Sequence, residues 1–314
     1  MYTVIIPTHN RPQLVARAIR SVLAQTVLPQ QIIVIDDASQ PALTLPEDLR
    51  DDRIRVIRHE KSVGGASARN TGLHEAPTSI VAFLDDDDEW LPTKMEVQLA
   101  WLQSHPEATL VTCGHIRCEA GRQYHEVYSE RFVDRYREYD NFFGSFSYLV
   151  VRRSPGMLLD GALPALQDWD FALRVTRGNT FGVIEQALVK YYAHDLPRIT
   201  TGPGNHLRAL RHCYLKHRYI LSADARRWVL ARVIFERARR DPSAHRRARH
   251  VLTAVSLSAR CQVPFLMKAR TIGRRLASLG FSPRAVISIR STFIAAWQSV
   301  RHPIRALRPS SIAS

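Results

Sequence analysis

The stretch "VAFLDDDDEWLP", residues 81–92, sets an apolar run, Val81–Leu84, against four consecutive aspartates, Asp85–Asp88. Adjacent carboxylates repel one another, and folding alone does not ask for them. A short apolar run of this kind reads as a buried strand, and the acids then sit at its carboxyl end. Two runs upstream follow the same plan. "YTVIIP" (2–7) leads into "PTHN", and "QIIVID" (31–36) leads into "DDAS". "IRVIRH" (54–59) and "ATLVTC" (108–113) complete a set of five Val- and Ile-rich segments.

Between these runs lie helical patterns. "RPQLVARAIRSVLAQ" places Leu14, Ala18, Val22 and Leu23 on one face, with Asn10 expected as N-cap and Pro12 in the first turn. "GGASARNTGLHEA" and "PTKMEVQLAWLQSH" follow. Strand–helix alternation predicts an α/β domain with a doubly wound, mostly parallel sheet flanked by helices. Such sheets bind ligands at the carboxyl ends of their strands, which is where the polar clusters fall. Residues 116–200 are mixed and aromatic-rich, and read as a lid or acceptor region of the same domain.

The 314 residues hold 44 Lys+Arg and 29 Asp+Glu, a net charge of +15. The charge is uneven: residues 1–200 balance to −5, and residues 201–314 to +20. Beyond Gly204 the strand pattern stops and basic helices are expected at about 205–221, 223–240, 243–260, 264–279 and 283–300. "TTGPGN" (200–205) is the best boundary signal, giving a domain at 1–203 and a basic α-helical region at 204–314. No apolar run reaches the roughly 18–20 residues of a spanning helix, and no signal peptide is expected. Four cysteines, with no Cys-x-x-Cys pair, fit ordinary reduced thiols and a cytoplasmic setting.

Carboxylates at a strand end have three readings: a solvated acidic turn, a calcium loop, or a magnesium-type site that also binds phosphate. An EF-hand needs Gly at its sixth position and Glu at its twelfth, and both are missing here. The neighbourhood favours the third reading. Asp36 and Asp37 end another strand, and Gly64, Gly65, Arg69 and Asn70 lie just upstream. Magnesium-type ions are commonly held by one or two carboxylates, with phosphate oxygens and water completing the shell.

"TVIIPTHNRPQLVARAIRSVLAQT", "IIVIDDAS", "GGASARNTG" and "VAFLDDDDEWLPTKME" resemble, in order and spacing, the motifs of family-2 inverting glycosyltransferases with the GT-A fold. "SYLVVRRS" and "LPALQDWDFALRV" extend the resemblance, which covers about residues 2–201. It implies an enzyme that takes a sugar from a nucleoside-diphosphate donor with Mn2+ or Mg2+ as cofactor. It implies that the stretch Pro7 to Asn10, with Pro7, Thr8 and Asn10 foremost, packs around the nucleotide and that Asp37, beside Asp36, accepts from the base. Arg69 would reach the ribose or diphosphate. The family's Asp-x-Asp maps to Asp85 and Asp87 as metal ligands, with Asp86 at the nucleotide sugar; four aspartates in a row leave the register open by one. Asp88 is expected to cap the helix near Pro92. In "QDWD" (167–170), Asp168 takes the position of the catalytic base, with Asp170 as rival; Gln167 stands where many relatives have Glu. His194 falls where the fold places a His near the metal or diphosphate. Trp169 is either a sugar platform or core, and Trp90 is core.

The resemblance points to a glycan or lipid-linked acceptor in bacterial surface-polysaccharide assembly. Two alternatives are a sugar-phosphate nucleotidyltransferase and a non-catalytic nucleotide-sugar or glycan-binding protein. "IIPTHNRP" has none of the glycines typical of the first, and the pairing of Asp168 with the acidic cluster argues against the second. In the tail, Val286, Ile289, Phe293, Trp297 and Val300 recur at helical spacing among arginines, which suits either peripheral contact with an anionic membrane surface or a helical subdomain packed on the core with its arginines in water. Nucleic-acid binding is not expected, because no recognised motif accompanies the charge.

Overall fold

A computed structural model describes residues 1–192, 204–259 and 261. The first half alternates as expected: β1 (Thr3–Thr8), α1 (Pro12–Leu23), β2 (Gln31–Asp36), β3 (Ile54–Arg58), α2 (Gly65–Glu75) and β4 (Ile80–Phe83). Next come β5 (Glu89–Trp90), α3 (Lys94–Ser104), β6 (Leu110–Glu119), β7 (Arg122–Glu126) and α4 (Glu130–Tyr136). β8 (Val150–Arg152), α5 (Gln167–Val175), β9 (Phe181–Tyr192), α6 (Asn205–His217), α7 (Ala223–Ala238) and α8 (Ala244–Ala259) complete the described elements. The helices expected at 264–279 and 283–300 lie outside the described residues.

One sheet runs in the order β3-β2-β1-β4-β8-β6-β9-β5, with β7 paired to β6. β1 is parallel to β2 and β4, and β2 to β3; β6 is parallel to β9. β8 lies between β4 and β6, antiparallel to both. The fold is α/β with a mixed sheet in which β3, β2, β1 and β4 are all parallel.

Side-chain alternation explains why helices cover both faces. Val4, Ile6, Ile32 and Val34 pack with Val15 and Ile19 of α1 on one face. Ile5, Ile33 and Ile35 pack with Ala66, Ala68 and Leu73 of α2 on the other. Each such Ile or Val, fully buried, contributes about 1.5–3 kcal/mol. Gly72 lets α2 approach closely, because a Cβ there would sit 2.4 Å from Ile5 Cγ2.

One local expectation changes. Asn10 is not the N-cap of α1. Arg11 holds that position without a side-chain cap, while Asn10 takes a positive φ of 57°. Its backbone N–H donates to Ser39 Oγ, and its Oδ1 accepts from the Gln40 N–H. Of the expected inward face of α1, Ala18 and Val22 are buried and Leu23 packs half-buried against the core; Val15 and Ile19 are buried with them, and Leu14 is half-buried.

The chain divides into two compact units, Met1–Lys216 and His217 onward. The division falls one helix later than the 203/204 signal, because α6 is tied to the first unit through His212 and Lys216. In the second unit, Phe235 and Ala238 of α7 pack with Val251 and Ala254 of α8. Among the described residues, no helix is long and apolar enough to cross a membrane. No disulfide joins the four cysteines.

Candidate active site

The carboxyl ends of β1, β2 and β4 open onto a cleft of about 470 Å³. Pro7, Thr8, Asp37, Arg69, Asp85, Asp86, Asp87 and Asp168, all expected at the site, line it together. Residues separated by as many as 161 positions are thus gathered because parallel strands end on one edge and α5 starts beside them.

The four aspartates divide their work. Asp85 is half-buried, receives a hydrogen bond from Ser145 Oγ at 2.8 Å, and pairs with Arg69. Asp86 is only 6% exposed and accepts from Thr8 Oγ1 at 2.8 Å and from Arg11 at 3.1 Å. Burial first, and the neighbouring Asp87 charge next among the raising influences, push the Asp86 carboxyl up to about 6 despite Arg11. Asp87 also pairs with Arg11, at 3.1 Å, and faces the cleft. Asp88 does not cap a helix: it is 1% exposed and accepts from Ser147 Oγ at 2.6 Å. The helix after it starts at Lys94, with no side-chain cap from Thr93. Burial, then the charges of Asp85 and Asp87, hold the Asp88 carboxyl well above the ordinary range.

Asp37 spends its carboxylate on the loop before α2. It accepts from His59 Nδ1 (2.8 Å), Ser62 Oγ (2.7 Å) and the backbone N–H groups of Val63 and Gly64 (3.0 and 2.8 Å). Burial raises this carboxyl, but the donors outweigh burial and its pKa is lowered overall. Asp36 and Asn10 do not line the cleft. Asp36 is buried, pairs with Arg58 at 2.5 Å and accepts from the Ser39 and Leu43 N–H groups. Both support the β1 and β2 ends from behind. His194 lies outside the described residues.

Arg69 is buried at the start of α2, with its guanidinium 4.2 Å from the Phe146 ring centroid. Its Nε has no acceptor among the described residues.

Asp168 enters from α5. Its Oδ1 accepts the Trp169 N–H at 2.8 Å. Burial chiefly, with the Asp85 charge added, pushes its carboxyl up to about 6, while Trp169 N–H and Arg69 pull the other way. Asp170, the rival base, is fully buried and ion-paired to Arg174 (3.0 Å) and Lys216 (2.8 Å). Trp169 is core rather than a sugar platform, fully buried with Nε1–H donating to the Arg137 carbonyl. Trp90 is core as well.

His9, within the Pro7–Asn10 stretch expected at the nucleotide, lines the cleft; Arg11, Ser145 and Tyr191 line it too and were missed by sequence reasoning. Arg11 had a signal, an arginine between a strand end and Pro12, but it reads like any helix-start arginine until Asp86 and Asp87 are placed beside it. Ser145 had none.

A divalent cation fits the donor set. Asp85 and Asp87 supply hard carboxylate oxygens facing the cleft. No group of three or more His, Cys, Asp or Glu able to hold a metal occurs among the described residues. The fit is therefore to an ion that takes one or two carboxylates and completes its shell with phosphate and water.

Residues 3–155 match the family described as "Glycosyl transferase family 2". WcaA of Escherichia coli (strain K12), named for colanic acid biosynthesis, is 29% identical over 69% of this chain and 81% of its own length. WfgD of Escherichia coli, a UDP-Glc:alpha-D-GlcNAc-diphosphoundecaprenol beta-1,3-glucosyltransferase, is 34% identical over 32% of this chain. That match spans only 41% of WfgD. The crystal structure of Staphylococcus aureus TarS 1–349 with UDP-GlcNAc superposes with a TM-score of 0.59 over 95% of this chain and 91% of that one. At 14% identity, this similarity concerns the fold. Residues 3–155, which hold the strand ends, the acidic cluster and Arg69, are a glycosyl transferase family 2 domain, and the protein is a glycosyltransferase that moves a sugar from a nucleotide-sugar donor.

Proposed function

We propose that the protein is an inverting, divalent-metal-assisted glycosyltransferase of bacterial surface-polysaccharide assembly, with Asp168 as general base. One observation carries this reading: a carboxylate raised to about 6 opens onto the same cleft as Asp85, Asp87 and Arg69. A base with that pKa is largely ionised at neutral pH and still takes up a proton readily. Asp168 would remove the proton from an acceptor hydroxyl as its oxygen attacks the anomeric carbon. The bond from that carbon to the diphosphate breaks on the opposite side, so the configuration inverts. Arg69, whose Nε–H has no acceptor among the described residues, would donate to the departing phosphate oxygens, where charge accumulates. Asp85 and Asp87 would hold Mn2+ or Mg2+, which when bound would neutralise that same charge. Asp37 would fix the loop over the nucleotide, and Pro7 and Thr8 would pack against it.

The names of WcaA and WfgD support a glycan or lipid-linked acceptor, and WfgD and the TarS complex support a UDP-sugar donor. The basic region from residue 204 would hold the enzyme peripherally at an anionic membrane on the cytoplasmic side. The test is release of nucleoside diphosphate from UDP-sugars, with Mn2+ or chelator, by wild type and Asp168→Asn. Release that survives chelation, or an Asp168→Asn variant as active as wild type, would refute the corresponding part.

A further inference from the structure

α5 begins under constraint. Leu166, just before it, takes a positive φ of 59°, a region that a branched side chain rarely adopts. Such a backbone persists only where its surroundings over-determine it. Three attachments do so. Lys216 Nζ, on the last turn of α6, lies 2.8 Å from Asp170 Oδ1 and 2.7 Å from Asp160 Oδ2. His212, one turn earlier, adds a contact to the same Asp160 oxygen at 3.2 Å. Arg174 donates to Asp170 Oδ2 at 3.0 Å and to the Leu158 carbonyl at 2.7 Å.

The 158–160 segment is pinned from the donor side as well. Asn70, next to Arg69 on α2, donates to the Leu159 carbonyl at 2.9 Å and accepts its N–H at 2.8 Å. A continuous chain of polar contacts thus runs from α2, through residues 158–160, to the first turn of α5 and on to α6. Burial raises the Asp160 carboxyl, but the Lys216 hydrogen bond, the Ala162 N–H and the charges of Lys216 and His212 outweigh it and keep it low. Asp170 is fully buried, so its charge needs these partners.

We propose that Lys216 is a positioning residue: by bridging Asp160 and Asp170 it fixes the first turn of α5, so that Asp168 faces the cleft. This rests on Asp168 being the base. The bracket makes turnover depend on a helix that lies beyond the segment matched to the family. The direction of the effect follows from catalytic geometry, where a displacement of about 1 Å can cost a hundredfold in rate.

The experiment compares the full-length wild type with Lys216→Met, Lys216→Arg and the double variant Asp170→Asn/Lys216→Met. The double variant removes both charges, so it avoids the buried carboxylate that Lys216→Met leaves with one of its two cations removed. Two readouts are taken: amide hydrogen exchange at residues 166–170, and kcat and KM for nucleoside-diphosphate release from UDP-sugars. In the double variant, exchange should accelerate roughly tenfold and kcat should fall about tenfold or more, with donor KM within about twofold, even where the melting temperature recovers. Lys216→Arg should restore much of both. Unchanged exchange in the double variant, or a kcat that recovers along with the melting temperature, would overturn the positioning role. Accelerated exchange with an Asp168→Asn enzyme that still turns over would support the bracket and overturn the base assignment instead.

Discussion

Replacing Asp168 by Asn should slow the enzyme and stabilise it at once. Asp168 has an ordinary pKa of 3.8 when unfolded and about 6 in the folded protein, mainly through burial. For an acid whose folded pKa is raised, the native state holds its proton more tightly than the unfolded state. The native state therefore loses stability as pH climbs from 3.8 through 6, and the full cost applies above 6. The difference corresponds to ~3 kcal/mol at ~1.36 kcal/mol per pH unit. Asp168 keeps part of its surface open to the cleft, where water screens the charge, so half that value, ~1.5 kcal/mol, is the better expectation. Asn keeps the shape and cannot ionise. At pH 7.5 the variant should melt about 3–6 °C above wild type, while turnover falls a hundredfold or more. At pH 5 wild type is already largely protonated in the native state, and the gain should shrink to about half. Thermal and urea melts of both proteins at the two pH values decide it. A gain of equal size at pH 5 and 7.5, or a loss at pH 7.5, would refute burial as the origin of the raised pKa.

Asp87→Ala should weaken nucleoside-diphosphate binding in the presence of Mn2+ and leave it little changed in chelator, as read by titration calorimetry. Asp37→Ala removes the acceptor for four donors from residues 59–64; it should raise hydrogen exchange across that loop and cost about 2–4 kcal/mol in stability, and unaltered exchange would count against the looping role. Arg11→Gln leaves Asp86 and Asp87 without their shared cation, so affinity for a free nucleoside diphosphate without metal should fall severalfold in a calorimetric titration. Removing residues 282–314 should weaken salt-sensitive flotation with anionic liposomes, at roughly 1 kcal/mol per basic residue lost from the surface, without changing donor hydrolysis; equal binding to neutral liposomes would exclude the electrostatic part.

The legible parts of the chain were those whose structure is local. β2 occupies the very residues, 31–36, that its β-branched run suggested, because a strand buried on both faces leaves an uninterrupted apolar signature. β6 runs to Glu119, six residues beyond its apolar run, since "GHIRCE" is held by pairing with β7 and β9 rather than by its own composition. β8, three residues long, has meaning only as a strand between β4 and β6, and no local pattern announces that. The same division holds at the site. Asp85, Asp87 and Asp168 came from motifs. The burial of Asp86 and Asp88 did not, because four identical letters conceal which carboxylate meets Thr8 and which meets Ser147. Asn10 looked like a cap because caps are local, and it turned instead to contacts near residue 40.

The insertion of β8 between β4 and β6 also bears on how the chain is made. As synthesis proceeds from the N-terminus, β1 to β4 can assemble with α1 and α2 as a parallel sheet, but one side of β4 then presents unpaired N–H and C=O groups. The strand that covers this side, Val150–Arg152, is made some seventy residues after Ile80. A nascent chain stalled before that point carries an open, apolar sheet edge, the kind of surface on which unfinished chains pair with one another. The segment matched to the family ends at residue 155, three residues past β8. It is thus a unit that covers the open edge of β4, with β6 already in place beyond β8, before β9 and the helices from α5 onward have been made.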